Sequence, residues 1–263
     1  MIERPEQRER YDRLSAFLKA FALSAAYLEE AEAANLLILD GEGQGHPTKL
    51  VYRTRLSAAL PPDGALLAAA RVEFGGSVNP LIGALPDQLC FSLAEAPQLY
   101  GLSELIVAEA DTARCGGGTI KARLCEVVVV LAIRRAIAMG TVNAGLLSGL
   151  AHPELHKSLV AIHDEPARSW TVPELARIAG MSRGAFTSHF SRVVGETPAA
   201  YLNGWRLSLG RAELLAGRSV KTVAAHVGFG SAEAFSRAFA RKFGYSPRQA
   251  GTIEGRSIDR SAR

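Results

Sequence analysis

TVPELARIAGMSRGAFTSHFSRVVGETP, Thr171 to Pro198, is followed by SVKTVAAHVGFGSAEAFSRAFARKFGYSP, Ser219 to Pro247, and the second stretch repeats the first. Val172, Leu175, Ala176 and Gly180 recur as Val220, Val223, Ala224 and Gly228. After one extra residue in the second turn, Phe186, Phe190, Gly195 and Pro198 recur as Phe235, Phe239, Gly244 and Pro247. Each copy has the punctuation of a helix, a tight turn and a second helix. Thr171 and Glu174 fit a capping box, and Ser182, Ser219 and Ser231 fit N-caps, because their hydroxyls can accept from orphan amides of the first turn. Gly180 and Gly228 fall where a turn residue without a Cβ is needed.

The apolar spacing decides which way each second helix faces. Phe186, Phe190 and Val194 recur every four residues, as do Phe235, Phe239 and Phe243, so these side chains point inward. The opposite face shows Arg183, Gly184, Thr187, Ser188 and Ser191 in the first copy, and Glu233, Ser236, Arg237 and Arg241 in the second. A helix of this width fits the major groove of DNA, where Arg pairs with guanine and Ser or Thr bonds several base edges. Arg237 is the strongest expectation for a base contact, with Glu233 an acceptor from cytosine. Gly184 offers no side chain, so the first copy is expected to anchor more than to read. An ordinary solvated helix face is the competing reading at every one of these positions.

Between the copies, Thr197-Pro198 reads as an N-cap followed by proline in the first turn. Tyr201, Leu202, Trp205, Leu209 and Leu214 then keep helical spacing. A rigid connector here would hold two reading helices for successive major grooves, roughly 34 Å apart. Arg206, Arg211, Arg218, Lys221, Lys242 and Arg248 are expected on phosphates, where contacts are sequence-independent and salt-sensitive.

The rest of the chain has another character. Residues 1–149 carry 14 Lys/Arg against 17 Asp/Glu, and residues 150–263 carry 16 against 9. Only the C-terminal half is therefore suited to a polyanion. From Phe21 to Leu93, short apolar runs alternate with turns and read as strands, among them Asn35–Leu39, Lys49–Leu56 and Ala65–Phe74. Leu99–Ala113 and Thr119–Met139 read as helices. The second is apolar over most of its circumference, which points to burial on more than one side, against a dimer partner or as an internal core helix. The fold class is therefore α+β. No apolar run is long enough to cross a bilayer, and the start lacks a signal-peptide pattern, so a cytoplasmic, nucleoid-associated protein is expected.

At Ala224, Val227, Gly228, Phe229, Phe235, Ser236, Arg237, Phe239, Lys242, Gly244, Ser246, Pro247 and Arg248 the chain resembles the AraC/XylS family of bacterial transcription regulators. His152–Trp170 and Arg123–Ile137 are similar to the branch with an N-terminal cupin-like β-barrel. The resemblance implies a sensing domain over 1–96, dimerisation helices over 97–149, a DNA-binding domain over 150–252 and a flexible tail over 253–263. It implies promoter DNA, RNA polymerase and a second copy as partners, an effector of unknown identity, and activation as the commoner outcome. Only about 70 residues are available for strands, so a reduced barrel is expected.

Enzymatic readings find no support in the residues. Metal-dependent cupin chemistry needs several His ligands on strands, and His46 stands alone there. His152 and His156 are four apart but lack the intervening Glu base, which favours capping or surface roles. No cofactor or metal is expected. Cys90, Cys115 and Cys125 are too few and scattered for a disulfide framework. Two alternatives stand beside ligand sensing: a redox sensor using Cys115, next to three glycines, and an N-terminal domain that only dimerises.

Overall fold

The computed structural model describes residues 12–56, 64–110, 114–140 and 145–251. Among these, 22–77 and 81–140 form one compact unit, and 12–21, 78–80 and 145–251 form another. The tail proposed over 253–263 lies outside the described residues.

The first unit is built on five antiparallel strands. They are β1 (Leu23–Leu28), β2 (Leu36–Asp40), β3 (Lys49–Arg53), β4 (Ala65–Phe74) and β5 (Gln88–Ser92), in the spatial order β1-β4-β2-β3-β5. β2 lies inside the sheet and is buried at every position, which explains its continuous apolar run. Edge strand β5 instead alternates, with Leu89 and Phe91 buried. In place of the expected reduced barrel, the described residues form a five-stranded cupin-like sheet in which β1 and β5 are the outer strands. Asn35 stitches the start of β2 to β4: its Nδ2 donates to the Val72 carbonyl (2.8 Å) and its Oδ1 accepts from the Val72 amide (2.7 Å). A short helix, α2 (Pro80–Ala84), precedes β5.

Two long helices complete this unit, α3 (Pro97–Ala110) and α4 (Gly117–Met139). α4 packs on α3, β1 and β4. Its buried face carries Cys125, Val128, Val129, Ala132, Ile133, Ala136 and Ile137 at helical spacing. Ile120, Val127 and Met139 remain exposed. The all-round apolar character of this helix therefore resolves into one packed face and one open one. No helix among the described residues is long and apolar enough to cross a membrane.

The second unit opens with α1 (Ser15–Ala20), whose Phe17 is fully buried. It continues with α5 (Leu146–Ala151), α6 (Leu155–Asp164), α7 (Val172–Ile178), α8 (Arg183–Val194), α9 (Pro198–Leu215), α10 (Val220–His226) and α11 (Ala232–Phe243). The caps are where the sequence reading put them. The Thr171 hydroxyl accepts from the Glu174 amide while the Glu174 carboxylate accepts from the Thr171 amide. Ser182, Thr197, Ser219 and Ser231 accept from the amides of Ala185, Ala200, Thr222 and Ala234. His152 caps as well, its Nδ1 accepting from the Glu154 and Leu155 amides at 3.2 and 3.3 Å.

α9 is shared by two cores. Tyr201 and Trp205 face the first copy: Tyr201 meets Phe190 edge-on at 5.8 Å, and Trp205 lies 4.6 Å from the His163 ring. Leu207 faces the second copy and packs with Val223, Ala224, Val227, Phe235 and Phe239. A Cβ on Gly210 would stand 2.7 Å from the Phe235 ring, so α9 and α11 touch almost backbone to side chain. Phe243, Val220 and Leu209 are only partly buried, a narrower core than the sequence periodicity implies.

Candidate nucleic-acid interface

Each α8 and α11 side chain is placed by the aromatic stripe behind it. In α8, Phe186 and Phe190 are fully buried and 5.5 Å apart. Arg183, Gly184, Thr187 and Ser188 are consequently exposed, and Ser191 is half-buried. In α11, buried Phe235 and Phe239 repeat the 5.5 Å stacking, leaving Glu233, Arg237 and Arg241 exposed and Ser236 half-buried. The spacing of Glu233, Arg237 and Arg241 places them on one face, a turn apart.

The two faces differ in chemistry. On α8 the only charge in the expected set is Arg183, and the Thr187 hydroxyl donates to the Arg183 carbonyl at 3.0 Å. On α11 the Ser236 hydroxyl donates likewise to the Ala232 carbonyl at 2.7 Å. Both hydroxyls keep acceptor lone pairs for an amino donor. The Glu233 carboxyl lies below its usual range, held there by its own backbone amide, then the Ser231 hydroxyl, and finally by Arg237. α11 thus presents an ionised acceptor beside a cationic donor.

The basic residues expected on phosphates separate into two groups. Lys221 and Arg248 are exposed. Arg206 is committed inside the lobe: its Nε donates to the Pro166 carbonyl (2.7 Å) and Nη2 to the Arg168 carbonyl (3.0 Å), and burial lowers its pKa. Lys242 donates from Nζ to the Gly204 carbonyl at 2.8 Å; burial lowers its pKa while Glu196 acts the other way. Arg211 lies 5.2 Å over the Phe243 ring, and Arg218 pairs with Glu213 at 3.4 Å. Sequence alone does not reveal these commitments, because the carbonyl acceptors carry no residue signature.

Arg192 escaped the sequence reading. It is exposed on α8, one turn beyond Ser188, with its Nη2 3.1 Å from His189 Nε2. Its position four residues after Ser188 was the available signal. Loop 165–170, also unremarked, is gripped from two sides, by Arg206 and by Gly228, where a Cβ would fall 2.6 Å from the Ala167 Cα. In the other unit Cys90 and Cys115 are exposed, and Cys125 is buried with its thiol pushed up to about 11, by burial first and Glu126 second.

Comparison with known proteins matches both units. A helix-turn-helix domain model matches residues 175–251 and a cupin model matches residues 31–138. The chain is 35% identical over 175 residues to the HTH-type transcriptional regulator AlkR of Acinetobacter baylyi, covering 65% of this chain and 57% of that one. It is 35% identical over 141 residues to the RCS-specific HTH-type transcriptional activator RclR of Escherichia coli, covering 53% and 49%. A putative AraC-like transcription regulator of Streptomyces lividans is 42% identical over 105 residues, covering 40% and 34%. The chain thus matches about a third to under three fifths of the length of these relatives. With a cupin-like unit ahead of a doubled helix-turn-helix lobe, the chain is similar to regulators of the AraC type.

Proposed function

We propose that this protein is a sequence-specific regulator of transcription that binds double-stranded promoter DNA through α8 and α11, inserted into successive major grooves. The observation that carries this reading is the repeated geometry: in both copies the aromatic stripe is buried and the polar face opposite it is exposed. Arg237 is assigned to guanine and Glu233 to cytosine; Ser236 and Arg241 flank them. Arg183, Thr187, Ser188 and Ser191 read or anchor in the first groove, where Gly184 lets the helix approach closely. Lys221 and Arg248 take phosphates, and the engaged side chains of Arg206, Lys242 and Arg211 brace the lobe.

The family resemblance supports a signal received by the sheet unit, a cytoplasmic location and contact with RNA polymerase at the promoter, and activation fits the similarity to the transcriptional activator RclR. Homodimerisation is assigned to the open face of α4, where Ile120 and Val127 are exposed at helical spacing. A second reading rests on the exposure of Cys115 just before α4: oxidation there is the signal. Replacing Cys115 by Ser abolishes any oxidant response of promoter binding on that reading, and an unchanged response ends it.

The principal test is a gel shift with Arg237→Ala against matched and single-substituted operators. Discrimination at one position falls by about 1–3 kcal/mol if Arg237 pairs with a base. Lys221→Ala should weaken all sequences alike and flatten the salt dependence by about one unit of slope. Undiminished selectivity of the Arg237 variant overturns the contact assignment.

A further inference from the structure

We propose that Arg192 is a DNA-phosphate contact of the first helix-turn-helix copy, the counterpart of Arg241 in the second, and that His189 positions it. The inference rests on the DNA-binding reading and deepens it, because it gives α8 an anchoring charge of its own.

The repeat makes the pairing. The offset of 49 that carries Phe186 and Phe190 onto Phe235 and Phe239 also carries Arg192 onto Arg241. Both arginines are exposed, and both stand in the last turn of their helix. Successive residues of a helix are turned by about 100°. On that wheel the buried Phe186, Phe190 and Val194 centre on one direction, and Ser188 and Arg192 lie about 20° to either side of its opposite. Arg192 therefore projects away from the lobe more directly than Thr187 or Ser191. No acidic side chain occurs between Arg183 and Val194, so nothing on α8 itself neutralises this charge.

Position along the helix selects phosphate over base. Arg192 stands nine residues after Arg183, about 13.5 Å further along the axis. Helices of this motif read base edges from their N-terminal residues. The last turn is where a long cationic side chain comes level with the sugar-phosphate backbone. A basic residue there also favours the helix dipole, but that role needs no second side chain to aim it.

Arg192 has such a side chain. Its Nη2 donates to His189 Nε2 at 3.1 Å, and since arginine can only donate, the ring nitrogen accepts. The His189 ring meets His152 edge-on, with centroids 6.2 Å apart. His152 is itself fixed, because its Nδ1 caps the Glu154 and Leu155 amides. The end of α8 is tied down as well, through the Gly145 amide donating to the Val193 carbonyl at 2.8 Å. A guanidinium already held in this way loses less rotamer freedom on meeting a phosphate. In α11 the place of His189 is taken by buried Ala238, so Arg241 has no equivalent support.

Fluorescence anisotropy of the full chain tests this across a KCl series, on a labelled duplex selected from random sequence and on its scrambled form. Arg192→Ala should weaken both duplexes by the same factor and lower the slope of log K against log salt by about 0.9. Arg192→Lys should keep the slope, and Arg192→Ala with Arg241→Ala should lower it by about 1.8. His189→Leu should weaken binding in the unaltered chain and have no further effect in the Arg192→Ala background, whereas His189→Gln, which keeps an acceptor, should restore it. Melting curves verify the fold of each variant. An unchanged slope in Arg192→Ala overturns the phosphate contact, and so does a loss confined to one operator position. A His189→Leu effect of equal size in both backgrounds overturns the positioning role. Failure of the DNA-binding reading looks different: the unaltered chain would then not discriminate the selected duplex from the scrambled one.

Discussion

The two turn glycines offer a matched experiment. Gly180 and Gly228 hold the same place in the two copies, with φ of +70° and +85°. Each turn closes in the same way, through Met181 N–H to the Ala176 carbonyl and Phe229 N–H to the Ala224 carbonyl. Their surroundings differ. A Cβ on Gly180 meets nothing within 4 Å, but on Gly228 it meets Ala167 Cα at 2.6 Å, its carbonyl oxygen at 2.8 Å and carbonyl carbon at 3.0 Å. Gly180→Ala therefore pays only for the left-handed conformation, about 1–2 kcal/mol. Gly228→Ala adds an overlap with backbone that cannot rotate away, costing another 1–3 kcal/mol or so. The expected difference between two chemically identical substitutions is thus about 1–3 kcal/mol. Urea unfolding followed by tryptophan emission measures it, since both tryptophans lie in this lobe. If the two variants agree within about 0.5 kcal/mol, loop 165–170 does not press on the second turn and the account of that contact is wrong.

Other expectations follow from single features. Phe235→Ala removes a fully buried ring from the second core and should cost about 3–5 kcal/mol in the same unfolding assay. Thr171→Ala removes the hydroxyl half of the α7 cap and should cost about 1 kcal/mol. His163 is depressed in the folded lobe, to about 3 from 6.5. The folded state therefore holds fewer protons than the unfolded one between those values, so stability is full above about pH 6.5 and is lost as pH falls toward 3. The slope from this residue approaches about 1.4 kcal/mol per pH unit. Replacing His163 by Phe should flatten the melting profile between pH 6.5 and 5, before carboxylates titrate; an unchanged slope there refutes the assignment.

Much of the C-terminal lobe was legible because its signals are local. Caps, turn glycines and the four-residue phenylalanine repeat act within a turn of themselves, and the structure has them at the residues named. The sheet unit was half legible. β2, β3 and β4 announced themselves as apolar or alternating runs, but β1 (Leu23–Leu28) and β5 (Gln88–Ser92) are edge strands, β1 at best half-buried and β5 buried at two positions, and their pattern is faint. Phosphate candidates were the weakest inference. A cationic side chain looks the same in sequence whether it meets solvent or, like Arg206, reaches carbonyls 38 to 40 residues away. The packing of Phe17 against His163 and Trp205, both at 4.9 Å, joins residues about 150 or more positions apart and left no trace in any window of the sequence.

The double duty of α9 has a geometric consequence. A single continuous helix, seated in both cores and held at Gly210 against Phe235, ties the spacing of α8 and α11 to its own length. If α8 and α11 enter DNA as proposed above, operators with altered half-site intervals should be rejected.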